Sequence, residues 1–183
     1  MSEELVILHC SPTLAGMKTG SLFNCDYETP AEVTRSICVL NQKLVPKGVR
    51  VLPVRYSDKR VLVYVYRPEQ LKRDLRERIA HKILEEKGYI CESSEQCVIQ
   101  LIQRLRSETD FPHEIGLFLG YPPKDVQGFI ENKDSGCKCV GCWKVYSDEQ
   151  TARRIFAKYK KCTKVYREKW KYGRTLEELT ISS

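Results

Sequence analysis

The stretch VRVLPVRYSDKRVLVYVYR, residues 49–67, decides the fold. Two runs rich in Val, Leu and Tyr flank a short polar segment, Ser57-Asp58-Lys59, which is typical of two strands joined by a tight turn. The stretch therefore predicts a β-hairpin of strands 49–56 and 60–67. Because proline has no amide hydrogen to donate, Pro53 indicates that the first strand has an exposed edge or a bulge.

A strand and a helix precede this hairpin. GSLFNC, residues 20–25, is a predicted strand, and Thr29 with Glu32 forms a capping box that begins a predicted helix over 30–45. A strand–helix–strand succession favours a parallel pair, and the hairpin adds an antiparallel neighbour. With a further strand at 139–146, the sequence predicts a mixed α/β fold. It has a mixed sheet of about four strands with helices on at least one face.

The remaining helices are predicted from periodicity and caps. Apolar residues recur at helical spacing after Pro68, which predicts one helix that begins at Pro68 and is ended by Gly88. Capping boxes begin two more helices, at Ser93 and at Ser147, and the second of these is long. Between Asp110 and Asn132 we expect two short helices that begin with proline, PHEIGLFLG at 112–120 and PKDVQGFIEN at 123–132, although residues 113–120 also fit a strand.

The basic residues are concentrated in one segment. The chain of 183 residues carries +7 at pH 7. Residues 151–174 contain ten Lys or Arg residues against Glu168 alone, so this segment carries +9 and the remainder carries −2. A helix face that is merely solvated usually mixes both signs, so the asymmetry favours a binding face for a polyanion.

The long C-terminal helix is also amphipathic, and we expect its apolar stripe to pack on the sheet. The stripe consists of Ala152, Ile155, Phe156, Tyr159, Cys162, Tyr166 and Trp170. The other face is a candidate surface for nucleic acid, an anionic lipid surface or an acidic protein. The residues predicted to bind a polyanion are Arg153, Arg154, Lys158, Lys160, Lys161, Lys164, Arg167 and Lys169.

Length and composition restrict the class of protein. We expect one domain over 1–183, with a mixed α/β body at 1–146 and the basic helix at 147–173 packed on it. No run of 18 apolar residues is present, and the N-terminal residues are acidic where an export signal is basic. A cytoplasmic location is therefore expected, with the nine cysteines reduced and mostly structural.

The segment HCSPTLAGMKTGSLF, residues 9–23, contains the residue types most typical of a catalytic or phosphate-binding site. Its Lys18-Thr19 pair does not fit a phosphate-binding loop, because the second glycine follows the lysine and a strand comes next. Its Cys10 is a candidate nucleophile, which requires a base to activate the thiol. The adjacent His9 points in a different direction from Cys10 and is a poor base.

The better base for Cys10 is His113, with Glu114 or Asp110 as the group that orients it. Such a set would suit thiol acyl transfer or proteolysis. The alternative is that Cys10 is a buried core thiol and His113 begins a helix, and we favour this alternative. An enzyme therefore remains the second hypothesis.

Three cysteines at short spacing, Cys137, Cys139 and Cys142, form a candidate metal site. Thiolates at such spacing favour zinc or an iron–sulfur cluster. A fourth ligand is required, and Cys162 supplies it only if the following helix folds back. No cofactor is predicted; zinc or an iron–sulfur cluster is the alternative to a loop that leads into a cysteine-rich strand.

Three stretches carry a resemblance to a known family. They are HCSPTLAGMKTGSLF, FPHEIGLFLGYPPKDVQGFIENK and CWKVYSDEQTARRIFAKYKKC. Over nearly its whole length the chain resembles domain-of-unknown-function family 3793, which consists of uncharacterised proteins of anaerobic Gram-positive bacteria. The resemblance implies no catalytic residues, and the family pattern does not require the three cysteines at 137–142.

The sequence therefore predicts a cytosolic binding or adaptor protein that uses its basic helix. The first alternative is a thiol enzyme and the second is a cysteine-cluster metal protein. The sequence does not indicate an oligomeric state.

Overall fold

The computed structural model of the chain describes residues 1–107, 111–133 and 135–182. Its mixed α/β architecture confirms the fold class predicted from the sequence. The elements, in chain order, are α1 (Glu3–Leu14), β1 (Gly20–Asp26), α2 (Pro30–Leu44), β2 (Arg50–Ser57), β3 (Arg60–Tyr66), α3 (Pro68–Leu75), α4 (Arg78–Glu86), α5 (Ser94–Ser107), α6 (Ile115–Phe118), α7 (Pro123–Asn132), β4 (Cys139–Val140), β5 (Lys144–Val145), α8 (Glu149–Lys171) and α9 (Leu176–Leu179).

The main sheet has three strands, not four, in the order β1-β3-β2, and every pairing is antiparallel. The predicted parallel pair is wrong because β3 lies between β1 and β2. The predicted fourth strand is also wrong, since its residues form a separate two-stranded hairpin of β4 and β5. β3 is central because both of its faces are apolar, so the inner position buries both.

The hairpin over residues 49–67 is confirmed, and so is the role of Pro53. β2 is an edge strand whose register shifts between Pro53 and Arg55. The side chain of Asn41, on α2, covers part of this edge. Its amide donates to the carbonyl of Val51 at 2.8 Å, and its oxygen accepts from the Val51 amide at 2.9 Å. These two bonds satisfy backbone groups that would otherwise invite another strand.

Helices cover both faces of the sheet. Val61, Val63 and Val65 of β3 face one core, which α1, α2 and α9 complete. Tyr64 and Tyr66 face the other core, which α3 to α7 complete. The alternation of β3 residues between the two cores follows from the period of two in a strand.

Several predicted helices have the predicted bounds, and others do not. Pro123–Asn132 is confirmed residue for residue, and residues 113–120 contain a helix rather than a strand. The single helix predicted between Pro68 and Gly88 is two helices, because Glu77 caps a new one by accepting from the amides of Ile79 and Ala80. The helix α1 was not predicted at all.

Arg67 holds α1 against the sheet. This buried side chain donates from Nε to the carbonyl of Thr13 at 2.6 Å and from Nη2 to that of Leu14 at 2.7 Å. Nη2 also donates to the carbonyl of Ile181 at 2.7 Å. A cation thus satisfies the carbonyls at the C-terminal end of α1, where the helix dipole favours positive charge. These bonds fix the position of α1, against which α8 packs.

Candidate anion-binding groove between the first and the long C-terminal helix

α8 begins one residue later than the capping box predicted. Its N-cap is Asp148, whose side chain accepts from the amide of Thr151 at 3.0 Å. Ser147 is held outside the helix because its amide donates to Asp125 at 2.7 Å. The hydrogen bonds from the amide and the hydroxyl of Thr151 lower the pKa of Asp148 below its usual value, because they stabilise the carboxylate.

The apolar stripe of α8 packs on two neighbours rather than on the sheet itself. Ile155, Phe156 and Tyr159 contact a small core built by Trp143 and Val145 of the β4–β5 hairpin. Further along, Tyr166 and Trp170 pack against the core that contains α1. Only Ala152 of this helix is fully buried, so α8 lies on the body without sinking into it.

A groove of about 960 Å³ runs between α1 and α8. Lys160, Lys164, Arg167 and Lys171 follow one another at spacings of four, three and four, which places them on one side of the helix. All four line the groove, as does Lys161. At 1.5 Å per residue, the four-residue row extends over about 16 Å of the helix axis.

These cations are exposed, and acidic residues do not neutralise them. Within the part of α8's surroundings that the structure describes, only Arg153 of this helix forms an ion pair, with Glu149 at 2.7 Å. Glu168 is the single carboxylate among the groove residues in the described chain. Exposed, unpaired lysines and arginines attract anions from solution.

The predicted polyanion-binding residues divide into two groups. Lys160, Lys161, Lys164 and Arg167 line the groove. The other four lie on α8 outside that lining: Arg153, Arg154, Lys158 and Lys169.

Lys18 belongs to the groove, although sequence reasoning considered it only as a phosphate-loop lysine. It lies between α1 and β1, and its Nζ stands 5.2 Å from the centre of the Tyr121 ring. Burial lowers the pKa of Lys18, because desolvation penalises the ammonium. The Tyr159 hydroxyl donates to the carbonyl of Met17 at 3.2 Å, which joins the Lys18 loop to α8. No local sequence pattern predicts this contact between residues that are far apart in the chain.

The structure does not bring Cys10 and His113 together. Cys10 is fully buried in the core shared by α1 and the β3 valines, and burial raises the pKa of its thiol to about 12. His113 is exposed on the other side of the sheet, where its ring lies edge-on to Phe129 at 4.8 Å. A protonated, inaccessible thiol is inert as a nucleophile.

Glu114, proposed to orient His113, and His9, which was judged a poor base, both have other partners. Glu114 is buried and accepts from the hydroxyl of Tyr89 at 3.0 Å. His9 stacks on Phe23 with 5.1 Å between ring centres. Asp110, the second candidate for orienting His113, lies outside the described residues.

The three clustered cysteines also separate. Cys137 donates to the carbonyl of Cys139 at 3.2 Å, and Cys139, in β4, packs against the small core of Trp143 and Val145. Cys142 is exposed at the groove. Cys162 is half-buried on α8. Among the described residues, no three His, Cys, Asp or Glu side chains are grouped to hold a metal ion.

Comparison with known proteins gives a family but no activity. A family model described as "Protein of unknown function (DUF3793)" matches residues 6–180. The chain belongs to the DUF3793 family. The match contains both walls of the groove, from His9 to Lys171, so the groove lies within the family domain. No curated protein and no solved structure matches the chain. Of the helices described here, none combines the length and apolar character needed to cross a membrane.

Proposed function

We propose that this chain is a binding or adaptor protein that holds single-stranded nucleic acid in the groove between α1 and α8. The observation that carries the proposal is the row Lys160, Lys164, Arg167 and Lys171, which lines a groove whose described residues include one carboxylate, that of Glu168. Lysine and arginine side chains along a groove neutralise successive phosphates and displace their counterions. Such contacts position a strand without reading its sequence.

Two aromatic side chains favour a single strand over a duplex. Phe156 and Tyr159 line the groove and are half-buried, so each keeps part of its ring accessible. Bases stack on such rings only when they are not already stacked within a duplex. The combination of a cation row and accessible rings suits any single strand and predicts little preference for sequence.

We also propose a cytoplasmic location. The nine cysteines are free thiols, as expected in a reducing compartment. Fractionation of cells that express the chain would test this location.

The binding test is fluorescence anisotropy with a labelled single-stranded RNA of about 20 nucleotides. If about five phosphates are neutralised, affinity should fall about 100-fold between roughly 50 and 200 mM salt. The variant Lys160→Glu/Lys164→Glu/Arg167→Glu should weaken binding at low salt by about 30-fold or more.

The matched control is Arg154→Glu/Lys158→Glu/Lys169→Glu, which makes the same change in charge on the same helix outside the groove lining. This control should lose much less affinity. An equal loss in both variants, or no saturable binding at 50 mM salt, would refute the groove as the site. Displacement by poly-glutamate as efficient as by unlabelled RNA would instead indicate an acidic protein partner.

A further inference from the structure

The ring of His9 lies on the α1 wall of the groove, whereas the cation row lies on the α8 wall. His9 and Pro12, three residues further along α1, both line the groove, as expected for neighbours on one face of a helix. The side chain of His9 is exposed, although the residues that follow it, from Cys10 to Leu14, are buried. α1 contains no Lys or Arg residue, so what it offers to a ligand in the groove is an aromatic ring.

Phe23 fixes the orientation of this ring. The planes of the two rings are 7° apart and their centres are 5.1 Å apart, so the rings stack with an offset. Phe23 belongs to β1 and is 5% exposed, within the core shared by α1 and the sheet. One face of the imidazole therefore lies against a buried ring, and its other face and its edge are accessible. A ring that is already held in place loses little freedom when a ligand stacks on it.

The geometry of a nucleotide suits these two walls. Phosphate and base lie on opposite sides of the sugar, so a phosphate bound by Lys164 or Arg167 on α8 leaves the base free to reach across to α1. His9 presents an aromatic face there. Proteins hold single strands by cations along the backbone and by aromatic side chains, histidine included, stacked on the bases.

We propose that the open face of His9 stacks on an unpaired base of the bound strand, which continues the His9–Phe23 stack into the groove. The inference rests on the function proposed above, and it adds that the groove contacts bases through α1 as well as phosphates through α8. A base is uncharged, so this contact does not depend on the balance between the cations and Glu168 in the groove lining. The competing interpretation is an ion pair between a protonated His9 and a phosphate, and such a pair needs no base.

Two strands of equal length separate these interpretations: an oligodeoxyadenylate and an abasic strand whose tetrahydrofuran sugars carry no bases. Both present the same phosphates. Fluorescence anisotropy at low salt with the wild type and His9→Ala gives four dissociation constants. We expect His9→Ala to bind the oligodeoxyadenylate about tenfold more weakly, and the abasic strand less than about twofold more weakly. A nearly unchanged affinity for the abasic strand also shows that the variant folds and keeps its cation row.

Matched variants test the ring itself. His9→Phe keeps a flat ring, so it should bind the oligodeoxyadenylate within about twofold of the wild type. Leu8→Ala changes the adjacent residue of α1, which is exposed and lies outside the groove lining, and it should leave both affinities unchanged.

NMR spectroscopy gives a second readout that a merely structural role of His9 would not change. The chain contains three histidines, and the imidazole signals that disappear in His9→Phe belong to His9. The ring current of a stacked base should shift these signals upfield when the oligodeoxyadenylate is added. The abasic strand should not produce this shift.

Each failure points to one of the two claims. If the wild type binds neither strand saturably at low salt, the groove is not a nucleic-acid site and the His9 inference is refuted with it. If binding depends on Lys160, Lys164 and Arg167 but His9→Ala weakens both strands equally, His9 contacts phosphate, so the stacking is refuted while the groove stands. Unchanged affinity of His9→Ala for both strands refutes the stacking in the same way, and so does an equal loss in His9→Phe and His9→Ala.

Discussion

At the scale of single residues, burial decides what Cys10 can do. Its thiol lies among apolar side chains of α1 and the sheet, and burial raises its pKa to about 12. Lys18 and a hydrogen bond with Ser21 favour the thiolate but do not offset the loss of water. Cys10 is thus a core residue in the structure, whereas a sequence shows only that a cysteine follows a histidine.

This pKa has a consequence for stability that can be measured. The folded value is raised above the unfolded value of 9.0, so the stabilisation is fully present below pH 9. It is lost as the pH rises from 9 toward about 12, because the unfolded thiol ionises first. Between pH 8 and pH 10 the loss is about 1.4 kcal/mol from this thiol.

The measurement is urea denaturation of the wild type and of Cys10→Ala at both pH values. Cys10→Ala should be less stable than the wild type at pH 8, because it leaves a small cavity. That difference should shrink by about 1.4 kcal/mol at pH 10. A constant difference would show that the Cys10 thiol is not shielded from water.

At the scale of elements, the helices that could be predicted were those whose apolar residues recur at a clear helical period. α2 and α7 each begin at a recognisable start signal, which apolar residues at helical spacing follow. The structure has both helices where they were expected. α1 lacks such a pattern because Cys10 to Leu14 are all buried, including the polar Ser11 and Thr13, so polar and apolar residues do not mark separate faces of its second half. Pro12 within that half further disguises a helix. The position of β3 between β1 and β2 depends on long-range pairing, which the local strand–helix–strand order does not specify.

The contact between α8 and the β4–β5 hairpin depends on one glycine. A Cβ atom at Gly141 would lie 2.2 Å from Cε2 and 2.3 Å from Cδ2 of Phe156, so the ring rests on bare backbone. Gly141→Ala should therefore displace Phe156 from Trp143, whose ring centre is 4.6 Å away. Overpacking of this kind costs about 1–3 kcal/mol of unfolding free energy.

Urea denaturation would measure the Gly141→Ala loss, with Val140→Ala as the matched control. Val140 is 71% exposed and directly precedes the glycine, so its truncation should change little. Similar stability for Gly141→Ala and the wild type would mean that Phe156 does not pack on this backbone.

At the scale of the whole molecule, the sequence located the charge but not the surface that it forms. The +9 segment and its stripe were visible in one dimension. Which cations share a groove depends on where α1 lies, and α1 was missed. Lys18 and Lys171 therefore lay outside the predicted set, while Arg154 and Lys158 were included although they do not line the groove.

A surface of unpaired cations should cost stability when nothing is bound. Lys160, Lys164 and Arg167 repel one another across about one helical turn, and salt screens this repulsion with a Debye length of about 10 Å at 0.1 M. The variant Lys160→Gln/Lys164→Gln/Arg167→Gln should therefore melt at a higher temperature than the wild type in low salt, while binding RNA less tightly. Such an exchange of stability for binding is expected where a site keeps like charges together.

Thermal unfolding without RNA at 20 and 500 mM salt tests this exchange. The wild-type Tm should rise with salt by more than the variant Tm, so that the two converge at high salt. The control Arg154→Gln/Lys158→Gln/Lys169→Gln should gain less, because Lys169 lies eleven residues from Lys158, about 16 Å along the helix axis, so these cations repel one another less. A higher Tm for the wild type than for the variant at 20 mM salt would contradict the prediction. It would show that the groove cations stabilise the fold.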